Sequence, residues 1–176
     1  RISMNTSKWS ARDLAEVALV AAIYIALTVT PPLNAISFGA VQFRISEMLN
    51  FLGFYHKKYI LAVTIGCMIS NLMVYGVVDL LVGGLSTLLF VSIGVLLFER
   101  YKKEYLFNGW MNKAFFYFSF FFAATMFTIA LELNIMYQAP FFLTWLTTGL
   151  GELLSLLIGA VVIESVMKRI PGYTRL

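Results

Sequence analysis

Apolar residues run through this chain in blocks of roughly 20, each long enough to cross a ~30 Å hydrocarbon layer as a helix. The polar interruptions between them predict six helical segments. The first covers about 10–30: Ser10 in "SARD" is placed to cap it, Asp13 answers from the third position, and "PPLN" stops it because proline cannot continue the backbone ladder. The second is short, about 42–55, and the third covers 59–75. After a tight "GVVD" turn the fourth covers 79–101. The fifth covers 113–136 and the sixth 141–169, before "PG" at Pro171 and Gly172.

Composition turns this pattern into a class. The chain has 176 residues, 60% hydrophobic and 12% charged, and its mean hydropathy is +0.84; a soluble domain of this size needs far more polar surface. The expectation is a single-domain, all-α integral membrane protein, with the first block a true span rather than a cleaved signal, since it lacks a small-residue cleavage site and five segments follow. The net charge of +4 does not point to nucleic acid, because the basic residues flank spans. Arg1, Lys8 and Arg12 precede the first segment, and Lys57 and Lys58 join the second and third. Arg100, Lys102, Lys103 and Lys113 join the fourth and fifth, and Lys168, Arg169 and Arg175 end the chain. Twelve of the 13 basic residues thus fall on one side of a six-span alternation, which predicts six transmembrane helices with both termini cytoplasmic.

Cys67 is the single cysteine and lies mid-span, so no disulfide framework or CxxC motif exists. His56, the single histidine, sits beside Lys57 and Lys58 and reads as a solvated loop residue. No metal or cofactor is expected.

Setting the cytoplasmic charges aside leaves Arg44 and Glu47 on the second segment, Asp79 opening the fourth, Glu132 late in the fifth and Glu152 within the sixth. All five fall in the outer half or at its boundary. A charge at the bilayer centre costs roughly 2.5–3.5 kcal/mol on insertion scales, so these groups are expected to face each other or a wet outward cavity. Four acids against one arginine make that region net negative. Arg44 and Glu47 share a helical face, and Trp145, Thr148, Gly149 and Glu152 follow an i, i+3, i+4, i+7 stripe suited to holding a flat heterocycle. Asn71 and Tyr75 are four apart on the third segment, and Tyr137 lies with Gln138 in an outer loop able to close over a site.

Plainer readings stand beside these. Arg44–Glu47 fits a structural ion pair, Asp79 a helix cap, Trp145 an interfacial belt residue and Asn71 an interhelical hydrogen bond. Glu132 and Glu152 are the harder ones to explain structurally, because neither has a basic residue nearby in sequence. On the first segment, Ala18, Ala22 and Ala26 recur every fourth residue, a small-residue stripe suited either to packing within the bundle or to docking a separate membrane protein.

Taken in order, "FGAVQFRISEMLNFLGFY", "IGCMISNLMVYGVVDLLVGGLSTLL" and "LTTGLGELLSLLIGA" resemble the QueT family, over roughly 11–169. These are substrate-binding S components of energy-coupling factor (ECF) transporters in bacterial cell membranes, linked to uptake of queuosine precursors. The resemblance implies an S-component fold with an outward-facing site and a partner complex of a transmembrane coupling protein and two cytoplasmic ATPases. It also implies docking of the coupling protein on Ala18, Ala22 and Ala26, and toppling in the membrane to carry ligand inward. The chain has no GxxxxGK[ST] loop, so ATP hydrolysis by that route would belong to the partners, and the protein itself is not expected to be an enzyme. The implied ligand is a 7-deazapurine such as preQ1 or queuine. Glu152 or Glu47 would read its edge and Trp145 would stack on it. An S component for riboflavin, thiamine or biotin would share the architecture, and an autonomous carrier would need no ATPases.

Overall fold

The Ser10–Asp13 signal does open the first helix. The computed structural model describes residues 9–37, 42–109 and 111–170, and in it α1 spans Ala11–Val29, with the Ser10 hydroxyl accepting from the Asp13 N–H at 3.2 Å and Asp13 accepting from the Ser10 N–H at 3.1 Å. A short helix, α2 (Leu33–Ser37), follows the prolines. The second predicted segment is a 3-10 helix, Ile45–Phe54, in place of an α-helix. Helices α3 (Lys58–Val74) and α4 (Val77–Phe98) are joined through Gly76, whose φ of 100° lies where side chains are disfavoured. A 3-10 turn and a small antiparallel hairpin, β1 (Tyr105–Leu106) and β2 (Met111–Asn112), precede α5 (Lys113–Ala124), α6 (Phe127–Tyr137) and α7 (Phe141–Met167).

The fifth segment, expected as one helix over 113–136, is two. At the break, the Thr125 hydroxyl donates back to the Phe122 carbonyl at 2.6 Å, and the Met126 N–H bonds only three residues back, to Ala123. Such back-bonding competes with the α-helical ladder and tightens the turn. The hairpin between the fourth and fifth segments was not among the predicted elements, although Asn108-Gly109 in its loop is a turn signal, and both residues have positive φ, 57° and 88°. The "PG" stop, Arg1, Lys8, Arg175 and positions 38–41 of the quoted acidic-basic stretch lie outside the described residues.

Among the described residues three helical stretches are long and apolar enough to cross a membrane: Val77–Tyr101, Lys113–Tyr137 and Phe141–Met167, whose 18-residue apolar windows have mean hydropathies of 2.4, 1.9 and 2.0. The α3 helix is shorter, at 17 residues, and α1 carries Arg12, Asp13 and Glu16 in its opening turns.

The helices pack as a ring in which α1 meets α3, α3 meets α4, α4 meets α5, and α5 and α6 meet α7. The 3-10 helix closes the ring between α7 and α1 and reaches inward to α3 and α4. Eight of its 10 residues are buried, which explains how so polar a segment is accommodated. Its lower half inserts Phe51 and Phe54 into an aromatic core: the Phe51 ring stacks on Phe115 at 4.5 Å between centroids, and Phe118 meets both edge-on. In lipid such dispersion contacts, more than water exclusion, hold helices together.

Basic residues gather at one end. Lys58, buried, bridges Asp13 at 2.8 Å and Glu16 at 2.7 Å, tying the starts of α1 and α3 together. The hairpin docks on the end of α7, where Lys168 lies over the Tyr105 ring. Burial there, reinforced by the Glu164 carboxylate, pushes the Tyr105 phenol up to about 12.

The α1–α3 seam is close because Gly66 faces Tyr24. A Cβ at that glycine would lie 2.7 Å from the Tyr24 Cβ. Gly66→Val is therefore expected to force the two helices apart and destabilise the fold by about 1–3 kcal/mol. Thermal unfolding in detergent reads the effect, and an unchanged midpoint would show that the seam has slack.

Candidate functional site

Burial of the 3-10 helix carries Glu47 into the middle of the ring, 4% exposed, and the surrounding elements supply its partners. From α1 the Tyr24 hydroxyl donates to Glu47 Oε1 at 2.7 Å; from the same 3-10 helix Asn50 Nδ2 donates to Oε2 at 2.5 Å. Arg44 Nη1 stands 3.7 Å from Oε1, an ion pair shielded from solvent on both sides. A buried carboxylate without such donors would cost several kcal/mol. The arginine is positioned in turn: its backbone N–H donates to Ser155 Oγ on α7 at 3.0 Å, and Nη1 donates to Asn71 Oδ1 on α3 at 3.4 Å. Asn71 completes the chain by donating from Nδ2 to the Asp79 carbonyl at 3.2 Å, which fixes the start of α4. Thr28 and Ser46 exchange a hydrogen bond at 2.6 Å and fasten the 3-10 helix to α1.

Glu152 enters from α7, 2% exposed, with its carboxyl beside Glu47 and Arg44. Among the described residues its Oε1 has no hydrogen-bond partner. Nearer the end opposite the lysines, the Asp79 and Glu132 carboxyls come within hydrogen-bonding reach of each other across α4 and α6, and Glu132 Oε2 likewise has no partner.

These groups enclose two adjoining chambers. The inner one has about 30 Å³ of space and is lined by Arg44, Glu47, Asn71 and Glu152, with Cys67, Thr87 and Phe122. The outer one has about 420 Å³ and is lined by Glu132, Tyr137, Val78, Leu133 and Met136. Gln42, Tyr75, Asp79 and Ile129 border both and form the neck at which the two chambers adjoin. Tyr75 and Tyr137 are 43% and 61% exposed, placing them at the rim. Among the described residues no group of three or more His, Cys, Asp or Glu side chains is placed to hold a metal ion.

Eight of the nine site positions named from sequence line one chamber or the other. Trp145 does not. It turns to the far side of α7, donates from Nε1 to the Ala124 carbonyl at 2.9 Å, and lines an apolar groove with Gly149 and Leu153. Stacking across the acidic cavity is therefore out of its reach, and the four-residue stripe on α7 divides between two faces. Among residues the sequence reading passed over, Gly83, Ser86 and Thr87 line the inner chamber. They had a legible signal: with Asp79 they repeat at i, i+4, i+7, i+8 along α4. Tyr24 had none, because only the fold aims it at Glu47. Ala18, Ala22 and Ala26 lie on the exposed side of α1, whereas Val17, Ala21, Tyr24 and Thr28 form its buried side. His56 accepts the Lys58 backbone N–H at 3.1 Å in the loop before α3, away from both chambers.

The family described as QueT transporter matches residues 14–168. The chain is also 58% identical over 158 residues to the queuosine precursor transporter QueT of Lactococcus lactis subsp. cremoris (strain MG1363), covering 90% of this chain and 94% of that protein. No solved structure matches the chain.

The hold of Tyr24 on Glu47 can be measured separately from ligand binding. Tyr24→Phe keeps the ring against Gly66 but leaves a buried carboxylate oxygen one donor short. A destabilisation of about 1–3 kcal/mol is expected in thermal or denaturant unfolding of the detergent-solubilised protein. A variant as stable as the parent would mean that the other donors suffice.

Proposed function

The chain belongs to the QueT transporter family, a multi-pass membrane protein and not itself an enzyme, and on that premise we propose that it is the substrate-binding S component of an ECF importer for queuosine precursors. The observation that carries the reading is the convergence of Arg44, Glu47, Asp79, Glu132 and Glu152, distant in sequence, on one two-chamber cavity. Two buried carboxyl oxygens there lack partners among the described residues. Guanine-like bases present N–H donors along one edge, which is what unpartnered carboxyl oxygens accept. The single guanidinium is already engaged by Glu47 and Asn71, so a phosphorylated ligand is disfavoured.

In this reading the helical ring supplies six spans with the lysine-rich end in the cytoplasm, which sets the cavity toward the outside. Energy comes from a transmembrane coupling protein with two ATPases. The exposed alanines Ala18, Ala22 and Ala26 give the coupling protein a surface that another helix can approach closely. Delivery then consists of the loaded protein toppling against that partner until the cavity faces inward.

Calorimetric titration of the purified protein with preQ1, queuine, guanine, riboflavin and thiamine tests the ligand class. Binding confined to 7-deazapurines is expected; binding of a different vitamin would overturn it. In reconstituted vesicles, uptake should require the coupling protein and its ATPases, and uptake by this chain alone would replace the S-component role with that of an autonomous carrier. Ala22→Leu should leave titration unchanged and reduce uptake about tenfold or more, since a larger side chain blocks close helix approach. Normal uptake by that variant would remove the alanine stripe from the docking surface.

A further inference from the structure

The two chambers differ in size and charge in a way that fixes how a ligand lies in them. The inner one, at about 30 Å³, has room for about two water-sized groups. That is far less than the outer chamber offers a fused ring. The outer one, at about 420 Å³, is in the range of small-molecule pockets and has apolar walls from Val78, Leu133 and Met136, with Tyr75 and Tyr137 at its rim.

Charge separates them further. Among the described residues, Glu47 and Glu152 stand inside and Asp79 at the neck, three carboxyls against one guanidinium, Arg44. Glu47 is engaged by Tyr24 and Asn50 at distances of 2.7 and 2.5 Å, whereas Glu152 Oε1 is buried without a partner among the described residues. Glu152 lies within hydrogen-bonding reach of Glu47 beside Arg44, and a cationic donor in this chamber supplies the hydrogen bond that Glu152 Oε1 lacks. Buried carboxyls are tolerated when they are both paired and hydrogen-bonded, which a cationic donor here provides.

Resting on the reading of the cavity as a 7-deazaguanine site, we infer that the inner chamber takes the ligand's cationic side arm while the ring stays in the outer chamber. A primary ammonium on a one-carbon stem is about the size of a water molecule and passes the neck at Gln42 and Asp79. Its N–H groups donate to Glu152 Oε1. The base edge then faces the Asp79–Glu132 pair, whose Glu132 Oε2 is the second unpartnered oxygen. The site therefore selects for charge on the side arm as well as for the base. A neutral arm of similar length leaves Glu152 unsatisfied.

The test compares 7-aminomethyl-7-deazaguanine with 7-cyano-7-deazaguanine, which has the same ring but an uncharged arm, by calorimetry on the full chain. The aminomethyl compound is expected to bind at least about 100-fold more tightly, because a buried polar group left unpaired is the penalty that sites of this kind exploit. Glu152→Gln should collapse that ratio to a few-fold, whereas Glu132→Gln should weaken both compounds by similar factors and preserve it. Equal binding of the two compounds to the unaltered protein overturns the inference while leaving the proposed function standing. A ratio abolished by Glu132→Gln and kept by Glu152→Gln overturns the orientation. Failure of both compounds to bind folded protein overturns the inference together with the reading it rests on. The ratio on the unaltered protein decides the matter even where a variant does not fold.

Discussion

A carboxylate at the centre of a hydrophobic ring has to be surrounded by donors, and the rest of this structure follows from how Glu47 is surrounded. Tyr24 comes from α1, Asn50 from the 3-10 helix and Arg44 from its start; Arg44 is then anchored to Ser155 on α7 and Asn71 on α3. One buried charge thus links most of the helices that form the ring. Exchanging these residues for apolar ones of similar shape would remove a desolvation cost, so stability alone gives no reason to keep them. What they provide instead is the fixed geometry of the polar cavity that the network borders.

The same network explains the unusual second element. A 3-10 helix has poorer backbone hydrogen bonds than an α-helix and rarely runs for 10 residues. Here packing compensates: Phe51 and Phe54 lock its lower half into the aromatic core, and Thr28–Ser46 holds its upper half to α1. The narrower element brings Arg44, Glu47 and Asn50 inward together. Across the ring, the break at Thr125–Met126 bends the α5–α6 pair beside the cavity, so that Phe122, Met126 and Ile129 line the inner chamber and Glu132 the outer.

Much of the cavity was legible because charge in an apolar chain is conspicuous. Arg44, Glu47, Asp79, Glu132 and Glu152 stood out by cost, and the physical requirement that they avoid lipid was enough to predict that they converge. The Gly83, Ser86 and Thr87 stripe was equally available, hidden only by its mild polarity. Trp145 shows where periodicity fails. A repeat of i, i+3, i+4, i+7 defines a stripe some tens of degrees wide, and a small rotation of α7 leaves Glu152 facing in while Trp145 and Gly149 face the apolar groove.

By itself the sequence determined the class of protein, the order of its helical segments, the gathering of basic residues at their ends and the short list of groups that lipid would not tolerate. These are local properties: block length, loop charge and the cost of an ion in hydrocarbon are each set within about 20 residues of chain. Tertiary structure alone decided the conversion of 45–54 to a 3-10 helix, the break in the fifth segment and the division of the cavity into two unequal chambers. The reason is that which face of a helix turns inward depends on contacts distant in sequence. The seating of Tyr24 against Gly66 is one such contact, and no local pattern along α1 or α3 specifies it.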